Sequence, residues 1–328
     1  PMNFLYQIRK SLLFPLQLLL ASPKKNSVGG QAIIEGVMMR GKNKVSWAIR
    51  KGPKEVLIEE QEFQSVSKKY KILGIPVIRG AVSLFESLAI GYKALSRSAD
   101  IAVELEEQSK QGSAKAEKKK NKAADQASSI FGLVLGMLIS LGIFMYLPMW
   151  ILSQFVPKES ALLFNTLSGA IRIVFFLIYL ILISQLKDIR RVFEYHGAEH
   201  KAIFAFEDGK ELTIDNMRPY TTLHPRCGTS FLFLVILCCI LLFSIVDALI
   251  ITFIAPFPNT LSRMLVHLTL VPLVSGTSFE VLKFSDRYQH FPIVRFFIKP
   301  GLWLQKITTK NPDDTQLETA SLALKAAI

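Results

Sequence analysis

Three of the five histidines in this 328-residue chain fall between His196 and His224. They sit in two runs, Glu194-Tyr195-His196-Gly197-Ala198-Glu199-His200-Lys201 and Leu223-His224-Pro225-Arg226-Cys227-Gly228-Thr229-Ser230. On a helix, His196 and His200 share a face, and both imidazoles reach one cation. Glu199 lies on the same side. The order His-x-x-Glu-His is that of the inverted zinc proteases, in which two histidines hold zinc and the glutamate is the general base. So short a pattern on an unrelated scaffold does not bring proteolysis with it. A zinc site needs at least one more ligand. His224 and Cys227 are suitable, because imidazole and thiolate both favour zinc. In a reducing cytoplasm Cys227 remains a free thiol.

These groups must be positioned by a membrane-type chain. Apolar residues make up 50% and charged residues 20%, and 39 Lys/Arg outweigh 26 Asp/Glu to give a net charge of +13. Mean hydropathy is +0.34. This composition argues against a plain soluble enzyme and excludes a disordered chain. Three cysteines, two of them adjacent, exclude a disulfide scaffold. No secretory signal is convincing; residues 1–27 read as a retained amphipathic segment.

Four stretches are long enough to cross a bilayer as helices: about Ile130–Leu152, Ser168–Leu186, Ser230–Ile254 and Met264–Phe284. More than half of the Lys/Arg residues precede the first. Others lie between the second and third (Lys187, Arg190, Arg191, Lys201, Lys210, Arg218, Arg226) and in the tail. The two short connections hold only Lys158 and Arg263. The positive-inside rule then places both termini and the histidine-rich segment in the cytoplasm of a bacterial cytoplasmic (inner) membrane.

Four polar groups fall inside these spans. Glu280 sits about one turn, about 5 Å, from the cytoplasmic end of span four, level with Cys227, and is a further candidate metal ligand. The competing reading pairs Glu280 with Arg or Lys among the headgroups and leaves His196 and His200 packing a juxtamembrane helix. Arg172, Asp247 and His267 lie about 22, 25 and 24 Å above the cytoplasmic ends of their spans. They form a polar layer in the outer half, read either as a proton or ion relay or as a structural Arg172–Asp247 pair with His267 hydrogen-bonded.

The organisation follows: 1–27, N-terminal amphipathic segment; 28–108, a β-meander and an amphipathic helix; 109–128, a Lys-rich linker; 129–186, spans one and two; 187–229, the histidine-rich loop; 230–284, spans three and four; 285–328, the tail. In the meander Gln31–Met39, Lys44–Arg50 and Glu55–Phe63 are strand-like. The helix opens at Pro76 and carries Ile78, Val82, Phe85, Leu88 and Ala89 on one face. The linker lysines suit a polyanion, lipid or ribosomal RNA, or act only as a topology signal.

Four motifs carry a resemblance. Gly29-Gly30-Gln31-Ala32-Ile33-Ile34-Glu35-Gly36-Val37-Met38-Met39-Arg40-Gly41, Tyr195–Lys201, His224–Ser230 and Pro300-Gly301-Leu302-Trp303-Leu304-Gln305 closely resemble the signature of the YqhQ-like bacterial membrane family. The resemblance covers residue 28 to the tail. It implies a polytopic membrane protein, described as a domain of unknown function or as a predicted metal-dependent enzyme. Glu35 and Arg40, in the first motif, are either adjacent to the site or an ordinary pair on the meander.

The sequence therefore leads to an α-helical polytopic membrane protein of about four transmembrane helices, with a small cytoplasmic β-meander and amphipathic helix. Its expected cofactor is zinc or another divalent metal, and its expected partner the lipid bilayer; no specific DNA binding is expected. One function is a metal-dependent hydrolase, with Glu199 activating water beside His196, His200 and one of His224, Cys227 or Glu280. The alternative is a non-enzymatic accessory that binds a membrane-protein biogenesis machine, translocon or ribosome, through its basic cytoplasmic face.

Overall fold

The computed structural model describes residues 28–110, 122–157, 160–288 and 291–328. The N-terminal amphipathic segment, residues 111–121 of the Lys-rich linker, and Lys158 lie outside them.

The chain opens with a four-stranded antiparallel meander: β1 (Gly29–Ile33), β2 (Gly36–Arg40), β3 (Lys44–Arg50) and β4 (Val56–Glu62). The stretch Gln31–Met39, expected as one strand, is two. Ile33 pairs with Gly36, so the chain reverses over Ile34 and Glu35. Glu35 adopts φ 51, in the left-handed region that ends a strand. Its carbonyl accepts from the Arg50 amide at 2.8 Å, and Arg191 clamps its carboxylate.

Helix α1 (Ile78–Lys110) covers one face of the sheet, and α2 (Lys122–Leu141) starts inside the expected linker, over its Ala-rich end. A π-turn at Gly142–Tyr146 joins α2 to α3 (Leu147–Ser153). Then come α4 (Ala161–Ile183), α5 (Lys187–Glu207), α6 (Gly228–Phe253), α7 (Thr260–Thr269), α8 (Val271–Arg287), α9 (Pro292–Thr308) and α10 (Asp314–Ala327).

Among the described residues three segments are long and apolar enough to cross a bilayer: Phe131–Ser153, Ala161–Ile183 and Phe231–Phe253. The pair α7 and α8 makes a fourth if its halves act as one span. The second begins at Ala161, one and a half to two turns before the expected Ser168. The fourth, expected as one stretch over Met264–Phe284, bends by 53°. Pro272 lies in the first turn of α8, where its missing N–H and its ring prevent α7 from continuing.

Alternation along β3 sends side chains to both covered faces. Val45, Trp47 and Ile49 pack with Ile33 and Met38 against Ala94 and Ile101 of α1. Ala48, with Val37 and Met39, packs against Ala198 and Ala202 of α5 and Leu317, Ala320 and Leu324 of α10. Ser46 donates to the Ala323 carbonyl at 2.5 Å, tying α10 to the sheet. On the apolar face of α1, Phe85, Leu88 and Ala89 are exposed. Small residues instead meet the neighbours: Gly80 against α8, and Ala94 and Ser98 against the sheet.

The expected histidine-rich loop is mostly helix. Helix α5 carries the first histidine run, and only the stretch between α5 and α6 is irregular, apart from a short turn at Ile214–Met217.

Candidate metal centre

Helix α5 presents His196 and His200 on one face, one turn apart, with ring centroids separated by 4.5 Å. Its inner face is buried because α10, the sheet and the 218–224 segment all pack on it. Lys201 reinforces that packing by donating to the carbonyls of Arg218 and Tyr220 at 2.7 and 2.5 Å. Burial lowers its pKa.

Cys227 comes from the other side, as the N-cap residue of α6. Donor atoms of His196, His200 and Cys227 all lie within 4.8 Å of one another. His196 Nε2 is 3.2 Å from Cys227 Sγ, and its Nδ1 is 2.8 Å from the Thr308 carbonyl. His200 Nδ1 bonds the Thr222 carbonyl. A carbonyl can only accept, so both Nδ1 atoms carry the proton and both Nε2 atoms present lone pairs. His200 Nε2 is buried and completes no well-formed hydrogen bond; Cys227 is the polar group it faces. Burial lowers the His200 pKa, with Cys227 opposing, which keeps the ring neutral and able to ligate. The Thr229 hydroxyl donates to the sulfur at 3.3 Å, and the amino terminus of α6 favours negative charge there. Two imidazoles oriented by main-chain carbonyls, with a supported sulfur beside them, are three donors of the kind that could hold a metal ion.

Gly197 makes this closure sterically feasible. A Cβ at this position would lie 2.0 Å from the Lys310 carbonyl oxygen, so any side chain would push away the segment that supplies Thr308.

Glu199 is buried beside this group. Burial raises its pKa, while His196, His224 and a hydrogen bond from the Gly30 backbone pull it down. A Cβ at Gly30 would lie 2.8 Å from the Glu199 carboxyl, so the first motif packs directly on this side chain.

His224 and Glu280 stand outside the three-residue group. His224 is buried with its ring centroid 5.6 Å from that of His200. Its Nδ1 accepts from the Arg226 amide at 3.3 Å, and its Nε2 faces Glu207 at 3.7 Å. Gln305, from the fourth motif, bonds the His224 main chain at 2.7 and 2.8 Å. That bond was not foreseen; an amide three residues from the end of α9 gives no signal in the sequence. Glu280 is bound by Arg79 of α1 at 2.6 and 2.5 Å, which spends its carboxylate on an ion pair.

Glu35 and Arg40 do not pair with each other. Glu35 accepts from Arg191 at 2.7 Å and from Tyr195 at 3.3 Å, contacts that raise the Arg191 pKa. Burial, then Glu35, raises that of Tyr195. Arg40 lies 3.3 Å from Glu86 and over the Phe63 ring.

The outer polar layer has a different partner from the one expected. Asp247 accepts from Asn165 at 2.7 Å, from Arg263 at 2.8 Å and from His267 at 2.8 Å, all buried. Arg263, expected in a connection, is carried inward by the short helix α7 and takes the place assigned to Arg172. Arg172 makes no hydrogen bond through Nε or Nη2 and lies 6.0 Å from the Phe243 ring.

Comparison with known proteins gives two matches. A family described as "Protein of unknown function (DUF1385)" matches residues 75–328. The "Uncharacterized protein YqhQ" of Bacillus subtilis (strain 168) is 33% identical over 301 residues, covering 89% of each chain. No solved structure matches significantly. On the extent of both matches, which take in the histidine runs and Cys227, this chain belongs to the DUF1385 family.

Proposed function

We propose that this is a multi-pass protein of the bacterial cytoplasmic (inner) membrane. In this reading it holds zinc, or another divalent metal, between His196, His200 and Cys227 on the cytoplasmic side and uses it in hydrolysis. The observation that carries the reading is the convergence of three donors within 4.8 Å, with both Nδ1 atoms already engaged by carbonyls. That leaves one coordination position open, the arrangement of catalytic rather than structural zinc.

The ion would supply Lewis acidity and a more acidic water. The chain supplies the rest. Glu199 is the candidate general base: its carboxyl is buried beside His196, and burial moves it from the carboxylate range toward neutrality, where a base works best. Gly30 holds it in place through its backbone N–H. The four apolar segments, the cytoplasmic side and the orientation are read from hydropathy and from the crowding of Lys/Arg around this centre.

The test compares inner-membrane extracts from cells carrying the wild type or Glu199→Gln, by differential mass spectrometry, with metal content measured on both purified proteins. A product present only with the wild type, at equal metal content, is expected. Identical extracts at equal metal content would make the ion structural.

A further inference from the structure

We propose that residues 70–78 form a re-entrant tip seated among the acyl chains of the leaflet on the sheet's side of the membrane. This inference rests on the reading of α8 as the inner part of a span.

After β4 the chain makes a helical turn at Val66–Lys69 and a 3-10 turn at Lys71–Gly74, reverses at Pro76-Val77, and returns as α1. The reversal is fastened to α8 at three points. Arg79 grips Glu280 at 2.6 and 2.5 Å. The Val77 amide also bonds that carboxylate. Gly276 lets the backbones touch: a Cβ there would lie 2.1 Å from the Val77 carbonyl oxygen, and one on Gly80 would lie 2.8 Å from the Gly276 carbonyl oxygen. Val77 itself is held at φ 71, which a β-branched residue adopts only under such constraint.

These contacts set the depth of the tip. Lys283 marks the polar end of the apolar part of α8, and Gly276 lies seven residues, about 10 Å, further along the helix. From there α1 runs back toward the sheet, which it meets at Ala94 and Ile101. Segment 70–78 therefore sits beside the apolar body of α8.

Its outward side chains fit that depth. Tyr70 is 54% exposed, Ile72 72%, Ile75 49% and Ile78 41%, which together make an apolar cap on the reversal. A cap this size is rare on a surface facing water. Lys68 and Lys69 precede it and Lys71 lies within it; all three are exposed, and their long stems can carry the ammonium groups back to the headgroups. Acyl chains are the occupant that matches both depth and chemistry.

The test uses the full chain with Ile72→Trp, Trp150→Phe and Trp303→Phe; Trp47, buried between β3 and α1, stays as a constant background. A companion carries Ile75→Trp instead, and a control keeps Trp150 of α3 with Trp303→Phe. All are reconstituted in phosphatidylcholine vesicles with brominated acyl chains. The tip tryptophans should lose most of their fluorescence to bromine, as Trp150 does, and resist aqueous iodide. Quenching by iodide and not by bromine, with Trp150 quenched by bromine, would overturn the tip and leave the spans intact. Absence of bromine quenching in every protein would overturn the membrane reading as well.

Discussion

His196 Nε2 and Cys227 Sγ lie 3.2 Å apart across 31 residues of chain. One comes from the middle of α5 and the other from the residue that caps α6, so the junction between the sheet-bearing layer and the apolar helices runs through this contact. It would be lost if either helix shifted by one turn. Two carbonyls, from Thr308 and Thr222, fix the imidazoles from behind.

The Thr229 hydroxyl supports the sulfur at 3.3 Å. Thr229→Val removes that donor and keeps the shape. Outer-shell partners of this kind are worth roughly 10–100-fold in metal affinity. Competition with a chelator on purified protein should show a loss in that range. Unchanged affinity would mean that the sulfur is not a ligand.

Asp247 is the buried acceptor for Arg263, His267 and Asn165 among the apolar helices. Asp247→Ala leaves Arg263 buried without its counter-charge, which costs about 3–5 kcal/mol. Thermal unfolding in detergent should register that loss, while metal content stays unchanged. The double variant Asp247→Leu with Arg263→Met should regain much of it. Loss of metal from Asp247→Ala would couple two centres that this account keeps separate.

Asp313 caps α10 and receives the Gln316 amide at 2.8 Å and the Thr315 hydroxyl at 2.6 Å. Burial pushes its pKa up, but these hydrogen bonds outweigh it and hold the carboxyl below its ordinary value. A pKa lower in the folded than in the unfolded chain contributes stability above the unfolded value, and that stability is lost as pH falls through the folded one. Protection of the α10 amides against hydrogen exchange, corrected for the intrinsic slowing of exchange in acid, should therefore fall as pH drops below about 4. Asp313→Ala should cost about 1 kcal/mol at neutral pH and flatten this response. Equal acid sensitivity in wild type and variant would refute the assignment.

The sequence made the apolar segments and the spacing of His196 and His200 legible, because periodicity and hydropathy are local properties. Depth was legible too: counting residues put Asp247 and His267 at one level, and they bond at 2.8 Å. Direction around the helix axis was not. Glu280 stands near the expected height but on the side of α8 that meets α1, so it finds Arg79. Arg263 reads as a connection residue when the span is begun at Met264; the break lies at Pro272, and its 53° bend turns α7 inward. The break at Glu35 was hidden: Ile34-Glu35 has no turn composition, and its reversal is imposed by Arg50 and Arg191 from elsewhere in the chain. Apolarity marked one face of α1 but does not tell a face packed on protein from one turned away from it, and Phe85 and Leu88 are turned away.

The central claim is tested most directly by elemental analysis of the full chain purified in detergent, alongside His200→Ala and Cys227→Ser. The account predicts about one zinc, or an equivalent divalent ion, per wild-type chain, held by a site of this ligand class, and its loss from both variants while they remain folded. A metal-free wild type after growth and purification with added zinc, or full occupancy in both variants, would contradict it.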